Sequence, residues 1–170
     1  MGRLDFKRGR FGSDFETNQI NDGLRGWQSS TVGDEVNWYR FNLSTSTIGD
    51  IYDEGYGQGK KYDGPYVVPV LHVTHEEGRD ENTDTGFYFN DALHFTASFD
   101  QIRRTGIVDL DLQTRNYLKD RVVYDNRVFR LTRIEVLGQV QQRDIIVGVD
   151  ATHIKPDELV NDAQFAAWSQ

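Results

Sequence analysis

The stretch DRVVYDNRVFRLTRIEVL, residues 120–137, decides the fold. Residues 121–124 and 128–137 are rich in β-branched and aromatic side chains, and Asp125-Asn126 between them are residue types that tolerate the left-handed turn conformation. The reading is a β-hairpin. In its second arm Phe129 and Leu131 share one parity and Ile134 and Val136 the other, so a β-bulge is expected near Thr132-Arg133. Downstream, residues 139–151 return as a last strand with Ile145, Val147 and Val149 on one face. Pro156 then opens a short helix whose first turn holds Asp157 and Glu158, where acids suit the amide dipole.

Upstream, residues 66–74 are β-branched and aromatic, and Pro69 within them suggests an edge position or a bulge. The polar run 76–85 is expected to break that strand. Two further strands, 86–89 and 92–99, flank a turn at Asn90-Asp91, and 100–106 is expected to form one helical turn with Asp100 as N-cap and Gly106 as stop. Residues 107–119 are polar with isolated leucines and form a long connection, a class of loop that is often functional or mobile. Residues 1–50 show little periodicity and read as an arm, with one strand candidate at 37–43; 53–64 is rich in Gly and Tyr and reads as a loop. The fold class is mainly β, a small β-barrel with a long N-terminal arm, a long inter-strand loop and a short C-terminal helix. The expected division is 1–61 for the arm, 62–155 for the barrel and 156–170 for the tail.

Composition agrees with a folded domain of 170 residues, because 37% hydrophobic and 12% aromatic residues are too many for a disordered polymer. Cysteine is absent, so disulfides, thiolate nucleophiles and cysteine metal sites are excluded. No window approaches the ~20 apolar residues of a membrane-spanning helix, and the basic start lacks the apolar stretch of a secretory signal. Synthesis in the cytosol and no membrane association are the expectation.

The net charge of −8 argues against a general nucleic-acid binder. Its distribution is uneven: residues 44–99 hold ten acids and three bases, a net of −7, while 101–150 hold seven acids and nine bases, a net of +2. Regions of opposite sign can dock copy to copy.

No chemistry-bearing motif survives inspection. His72, His75, His94 and His153 are the only candidates for a metal cluster without cysteine, and a strand period of two sends His72 and His75 to opposite faces. Asp80, Asn82, Asp84 and Asp91 match positions 1, 3, 5 and 12 of a calcium loop, but the glycine stands one place late and the last ligand is Asp instead of Glu. A solvated acidic run is the plainer reading. Residues 55–61 are glycine-rich and basic without phosphate-loop spacing, and the sequon at Asn42 means nothing without secretion. An enzyme is not expected, nor a cofactor. The arm residues Arg3, Lys7, Arg8 and Arg10 either contact DNA phosphates or an acidic partner, or form a solvated terminus. Leu159, Phe165 and Trp168 either dock on a neighbour or cover the chain's own barrel.

One pattern is more specific. Pro69-Val70-Leu71, Gly86-Phe87-Tyr88, the hairpin 120–130, Val149-Asp150-Ala151 and Lys155-Pro156-Asp157-Glu158-Leu159 together resemble the head-to-tail stopper, or head-completion, proteins of long-tailed bacteriophages. The versions carried by phages of actinobacteria are the most similar. The hairpin Asp-Arg-apolar-apolar-Tyr, short turn, apolar-Phe-Arg is its most specific part; the resemblance spans 62–159 and leaves the first 60 residues without a counterpart.

The resemblance implies a small β-barrel that forms a homo-oligomeric ring, most often of twelve copies, in the virion neck. A portal-adaptor ring would sit above it and a tail terminator or tail tube below. The ring would close the filled capsid and let double-stranded DNA pass without sequence-specific binding. On this expectation Glu76, Glu77, Asp80, Glu81 and Asp84 form a channel or ring-interface loop, since an acidic lining repels phosphates. Asp109, Asp111 and Arg115 mark a second loop that could gate. A tail terminator or minor tail protein is the nearest alternative, and a carbohydrate-binding β-sandwich module, suggested by the aromatic loops, is the alternative of another class.

Overall fold

The computed structural model describes residues 13–46, 59–83, 86–140, 142–155, 159 and 162–168. Seven antiparallel strands make a single curled sheet, a half-barrel, in the order β2-β1-β5-β6-β7-β4-β3. They are β1 (Glu35–Phe41), β2 (Tyr62–Pro69), β3 (His72–Thr83), β4 (Gly86–Ser98), β5 (Arg121–Tyr124), β6 (Arg127–Val140) and β7 (Arg143–His153). The mainly β, barrel-like class expected from the sequence is therefore what the chain adopts, and β1 lies inside the sheet between β2 and β5.

The deciding hairpin forms as expected. Asp125 and Asn126 both have positive φ, 47° and 58°, as the tight turn between β5 and β6 requires. The register slips between Leu131 and Arg133, which turns Phe129, Leu131, Ile134 and Val136 to one core. That bulge frees the Ile134 N–H from the ladder, and the buried Tyr117 hydroxyl accepts it at 3.1 Å.

The run 66–74 is not one strand. It divides at Val70-Leu71 into β2 and β3, which lie at opposite edges of the sheet. Val70 N–H donates to Asp34 O at 3.0 Å and Leu71 N–H to Thr96 O at 2.8 Å, so two residues carry the chain from one edge to the other. The sheet must roll until its edges meet at that corner, and Pro69 marks the place.

Inward-facing side chains of six strands meet in one cluster that includes Trp38, Val68, Phe95, Val122, Phe129, Leu131 and Val149. Trp38 and Phe95 pack edge to face with centroids 6.4 Å apart. One mouth of the half-barrel is closed by α2 (Phe99–Arg104) and the segment after it, which contribute Ile102, Ile107, Leu110 and Tyr117. Helix α2 opens on Ser98 instead of Asp100, and Asp100 in its first turn accepts from Arg104 at 2.7 Å; Gly106, with φ 111°, ends the turn.

Two expectations for the N-terminal half are corrected. The arm contains α1 (Ser13–Trp27), followed by a wide turn over Gln28–Val32 that Gly33 closes with φ 64°. Its glycines and polar residues mask the helical period, so no apolar stripe marks it. The polar run 76–85 does not end β3, which continues to Thr83, and β4 runs unbroken through Asn90-Asp91. Local polarity suggested a loop, whereas cross-strand pairing with Phe87, Tyr88 and Phe89 makes a ribbon.

Candidate assembly surfaces

The β3–β4 ribbon outruns the sheet. β4 pairs with β7 only from Ala92 to Ser98, while Arg79 to Thr83 of β3 continue to pair with Gly86 to Asn90. Beyond Ala92 the two strands therefore have only each other as neighbours among the described residues, and an isolated two-stranded ribbon is marginal in water. Glu76 and Glu77 are exposed at its base. Asp80 and Glu81 pair through their backbones with Phe89 and Tyr88 farther out, and Asp84 lies outside the described residues. The first four candidate acids thus share one projecting element.

A bulge sets the direction of this ribbon. The register slips between Glu76 and Arg79, and Gly78 takes φ 67°, which favours glycine. Asp91 on the facing strand accepts the Gly78 N–H at 2.8 Å and Arg127 Nη1 at 2.9 Å. Arg127 also reaches Glu77 Oε1 at 3.1 Å and His75 Nε2 at 3.4 Å. His75 and His153 both pack edge to face with the Phe129 ring, each with centroids 5.6 Å away. Burial lowers the His153 pKa, with Arg127 and His75 acting in the same direction and Asp91 against it.

At the other mouth a buried carboxylate fixes the second candidate loop. Asp120 is 1% exposed; its Oδ2 accepts Trp38 Nε1 at 2.9 Å and Arg40 Nη1 at 2.6 Å, and its Oδ1 accepts the Phe41 N–H at 2.9 Å. Burial raises the Asp120 pKa, and Arg40 with the two N–H donors opposes that rise. Every neighbour is a donor, so the carboxylate is the form that fits. Arg40 continues outward through Nη2 to Asp109 at 2.9 Å. Asp111 accepts Thr114 Oγ1 and Gln113 N–H, which lower its pKa, and Arg115 holds φ 52°. With Leu110 and Tyr117 buried beneath it, residues 107–119 are packed as a wall instead of hanging as a free loop.

Of the proposed docking tail, Leu159 and Phe165 are 2% and 0% exposed, in a second core with Tyr39, Tyr62, Val123, Val128 and Ile154. These two side chains cover the chain's own sheet, the second of the two alternatives that the sequence left open. Phe165 packs edge-on to Tyr39 and Tyr62, and Gln164 exchanges two hydrogen bonds of 3.0 Å with the Tyr62 backbone, completing the outer edge of β2. The Trp168 side chain, the arm residues Arg3, Lys7, Arg8 and Arg10, and the helix start expected at Pro156 lie outside the described residues.

The remaining motifs are accounted for. His75 faces inward against Phe129, while His72 borders the outer groove beside His94, as strand period requires. His94 pairs with Asp150 at 2.7 Å. Among the described residues no three His, Asp or Glu side chains converge as metal ligands. Asp80 and Asn82 stand in extended, paired backbone, which is not the curled path of a calcium loop. Sequence reasoning missed Asp120 and Arg127 as hubs; Trp38 and Arg40, two donors on one strand face, were the signal for a buried acceptor.

No family model matches the sequence, and no curated protein matches it. Among solved structures, the chain has partial similarity to one from "Virion of native gene transfer agent (GTA) particle". Identity is 10% and the TM-score 0.44, over 71% of this chain and 94% of that one.

Proposed function

We propose that this chain is a structural protein of a phage virion, a stopper of the neck. In this reading copies assemble as a ring, most simply of twelve, between a portal-adaptor ring and the tail, and the ring retains packaged double-stranded DNA. The observation that carries it is the β3–β4 ribbon, which extends past the sheet with acids at its base and along its length. Among the described residues that ribbon has no neighbouring strand beyond Ala92; a ring would give it either a neighbouring subunit or a channel to line. The sequence resemblance over 62–159 and the half-barrel support the same reading.

Within the ring, Glu76, Glu77, Asp80, Glu81 and Asp84 face the channel or the next copy. Residues 107–119, carrying Asp109, Asp111 and Arg115, serve as fixed wall, consistent with their anchoring by Arg40 and Tyr117. The arm with Arg3, Lys7, Arg8 and Arg10 contacts an adjoining ring or DNA.

Electron microscopy of the full chain, alone and with portal and adaptor, tests this. Rings seated on the adaptor with ribbons on the inner wall or between subunits are expected. Chains that stay monomeric with the adaptor present, or ribbons on the outer wall away from all neighbours, would overturn it.

A further inference from the structure

Between the β6 bulge and the wall segment 107–119 lies a cleft of about 310 Å³. Its floor is apolar, since Tyr117 and Ile134 are buried and Leu112 is half-buried beside them. At the rim Arg133 pairs with Glu135. Arg115 is exposed there, and its guanidinium has no hydrogen-bond or ion-pair partner among the described residues. A cleft of this make-up suits an aromatic group over the floor and a carboxylate on the free guanidinium.

The chain presents Arg115 in a fixed, strained position. Its φ of 52° is one that glycine adopts freely and a residue with a Cβ does not. The neighbours on both sides are pinned. Thr114 Oγ1 donates to Asp111 at 2.8 Å, Asn116 Nδ2 donates to Asp109 O at 2.7 Å, and the Tyr117 hydroxyl accepts the Ile134 N–H at 3.1 Å. A docking partner therefore has one side chain to order instead of a loop.

The β3–β4 ribbon carries the matching groups. Its register sets Asp80 opposite Phe89 and Glu81 opposite Tyr88, so each acid has an aromatic residue across the ribbon. It is aimed away from the cleft of its own copy. Ala92, where β4 parts from β7, lies opposite Thr152, and Thr152 lies opposite Arg130. The ribbon continues outward from that row toward the Arg127 end of β6, whereas residues 132–135 lie on the other side of it, toward Val140. Only another copy's ribbon can enter.

We infer that this cleft receives the β3–β4 ribbon of the next copy, which sets an acid–aromatic pair of the ribbon against Arg115 and the apolar floor. The contact joins unlike surfaces, so it propagates head to tail and closes as a ring. This inference rests on the ring reading and deepens it: the ribbon is assigned to the subunit contact, and its receiving surface is named.

Charge exchange tests it on the full chain with the adaptor ring present. Arg115→Glu places an acid at the cleft, and Asp80→Lys with Glu81→Lys places bases on the ribbon. Each variant alone should weaken ring assembly in sedimentation at least about tenfold, because like charges then meet at every contact. Mixed in equal amounts the two should assemble again, alternating around the ring, since every ribbon then meets a cleft of opposite sign. Arg115→Gly separates docking from a structural role: it should raise the melting temperature by relieving the backbone while weakening assembly. Because the chain has no cysteine, introduced thiols report only the intended contact. Thr132→Cys chains mixed with Glu81→Cys chains should form disulfide-linked pairs under mild oxidation, and neither should link to itself. Rings that persist in both charge variants, or like chains that link as fast as unlike ones, overturn the inference and leave the neck reading standing. A wild-type chain that forms no ring on the adaptor overturns both.

Discussion

The two mouths of the half-barrel are closed by different physics. At the α2 mouth a buried carboxylate gathers Trp38, Arg40 and the Phe41 backbone, and Arg40 extends the grip to Asp109 outside. At the ribbon mouth Arg127 gathers Asp91, Glu77 and His75, but Arg127 and Glu77 are 36% and 65% exposed. Water and salt reach the second set, whereas in the first they reach only the outer Asp109, 71% exposed against 1% for Asp120. One mouth is locked as part of the fold, while the other holds the base of the projecting ribbon by contacts that solution conditions can loosen.

The largest expected effect tests the lock. Asp120→Ala removes the acceptor for three donors and leaves Arg40, 11% exposed, without its buried partner. A loss of about 3–5 kcal/mol is expected in urea unfolding. A loss no larger than that of Arg127→Ala would erase the contrast between the mouths.

Arg127→Ala should cost about 1 kcal/mol or less, because its pairs are screened. The same titration in high salt should shrink the difference further. What should change more is amide exchange: Gly78 N–H, held by Asp91, is expected to exchange faster once Asp91 loses Arg127. Unchanged exchange at Gly78 would mean that Arg127 does not hold the ribbon base.

The smallest effect is pH dependence at His153. Its folded pKa is depressed, chiefly by burial, so between that value and about 6.5 the unfolded chain binds the extra proton. Stability is complete above the unfolded value and declines as pH falls toward the folded one. Thermal melts through that window should show the decline, and His153→Gln should flatten it. A slope that persists in the variant assigns it to another group.

Strand content was readable where pattern and turn chemistry coincided, as in the β5–β6 hairpin with its bulge and Asp125-Asn126 turn. It failed where local polarity and pairing disagree. Glu76 to Thr83 look like a loop because no alternation of apolar and polar residues marks a strand there. Helix α1 was illegible for a related reason: its inward side is polar, so no apolar stripe announces it. For the candidate surfaces, the acids were visible as residues, but the bulge at Gly78 and the grip of Arg127 depend on strands that meet only after folding. The tail shows the opposite case, since Leu159 and Phe165 carried the right signal, buried apolar contact, with the partner being the chain itself.

The two-residue corner at Val70-Leu71 also governs the order in which this chain can be made. β1 cannot gain its second neighbour until Arg121 and Val122 exist, and β3 and β4 reach the rest of the sheet only through β7. A nascent chain that stops short of residue 143 holds the four-stranded sheet β2-β1-β5-β6 and the β3–β4 pair, tethered by that corner, with no shared ladder between them. Closure thus waits on the last strand to leave the ribosome, and the fold comes together as a late event instead of growing strand by strand.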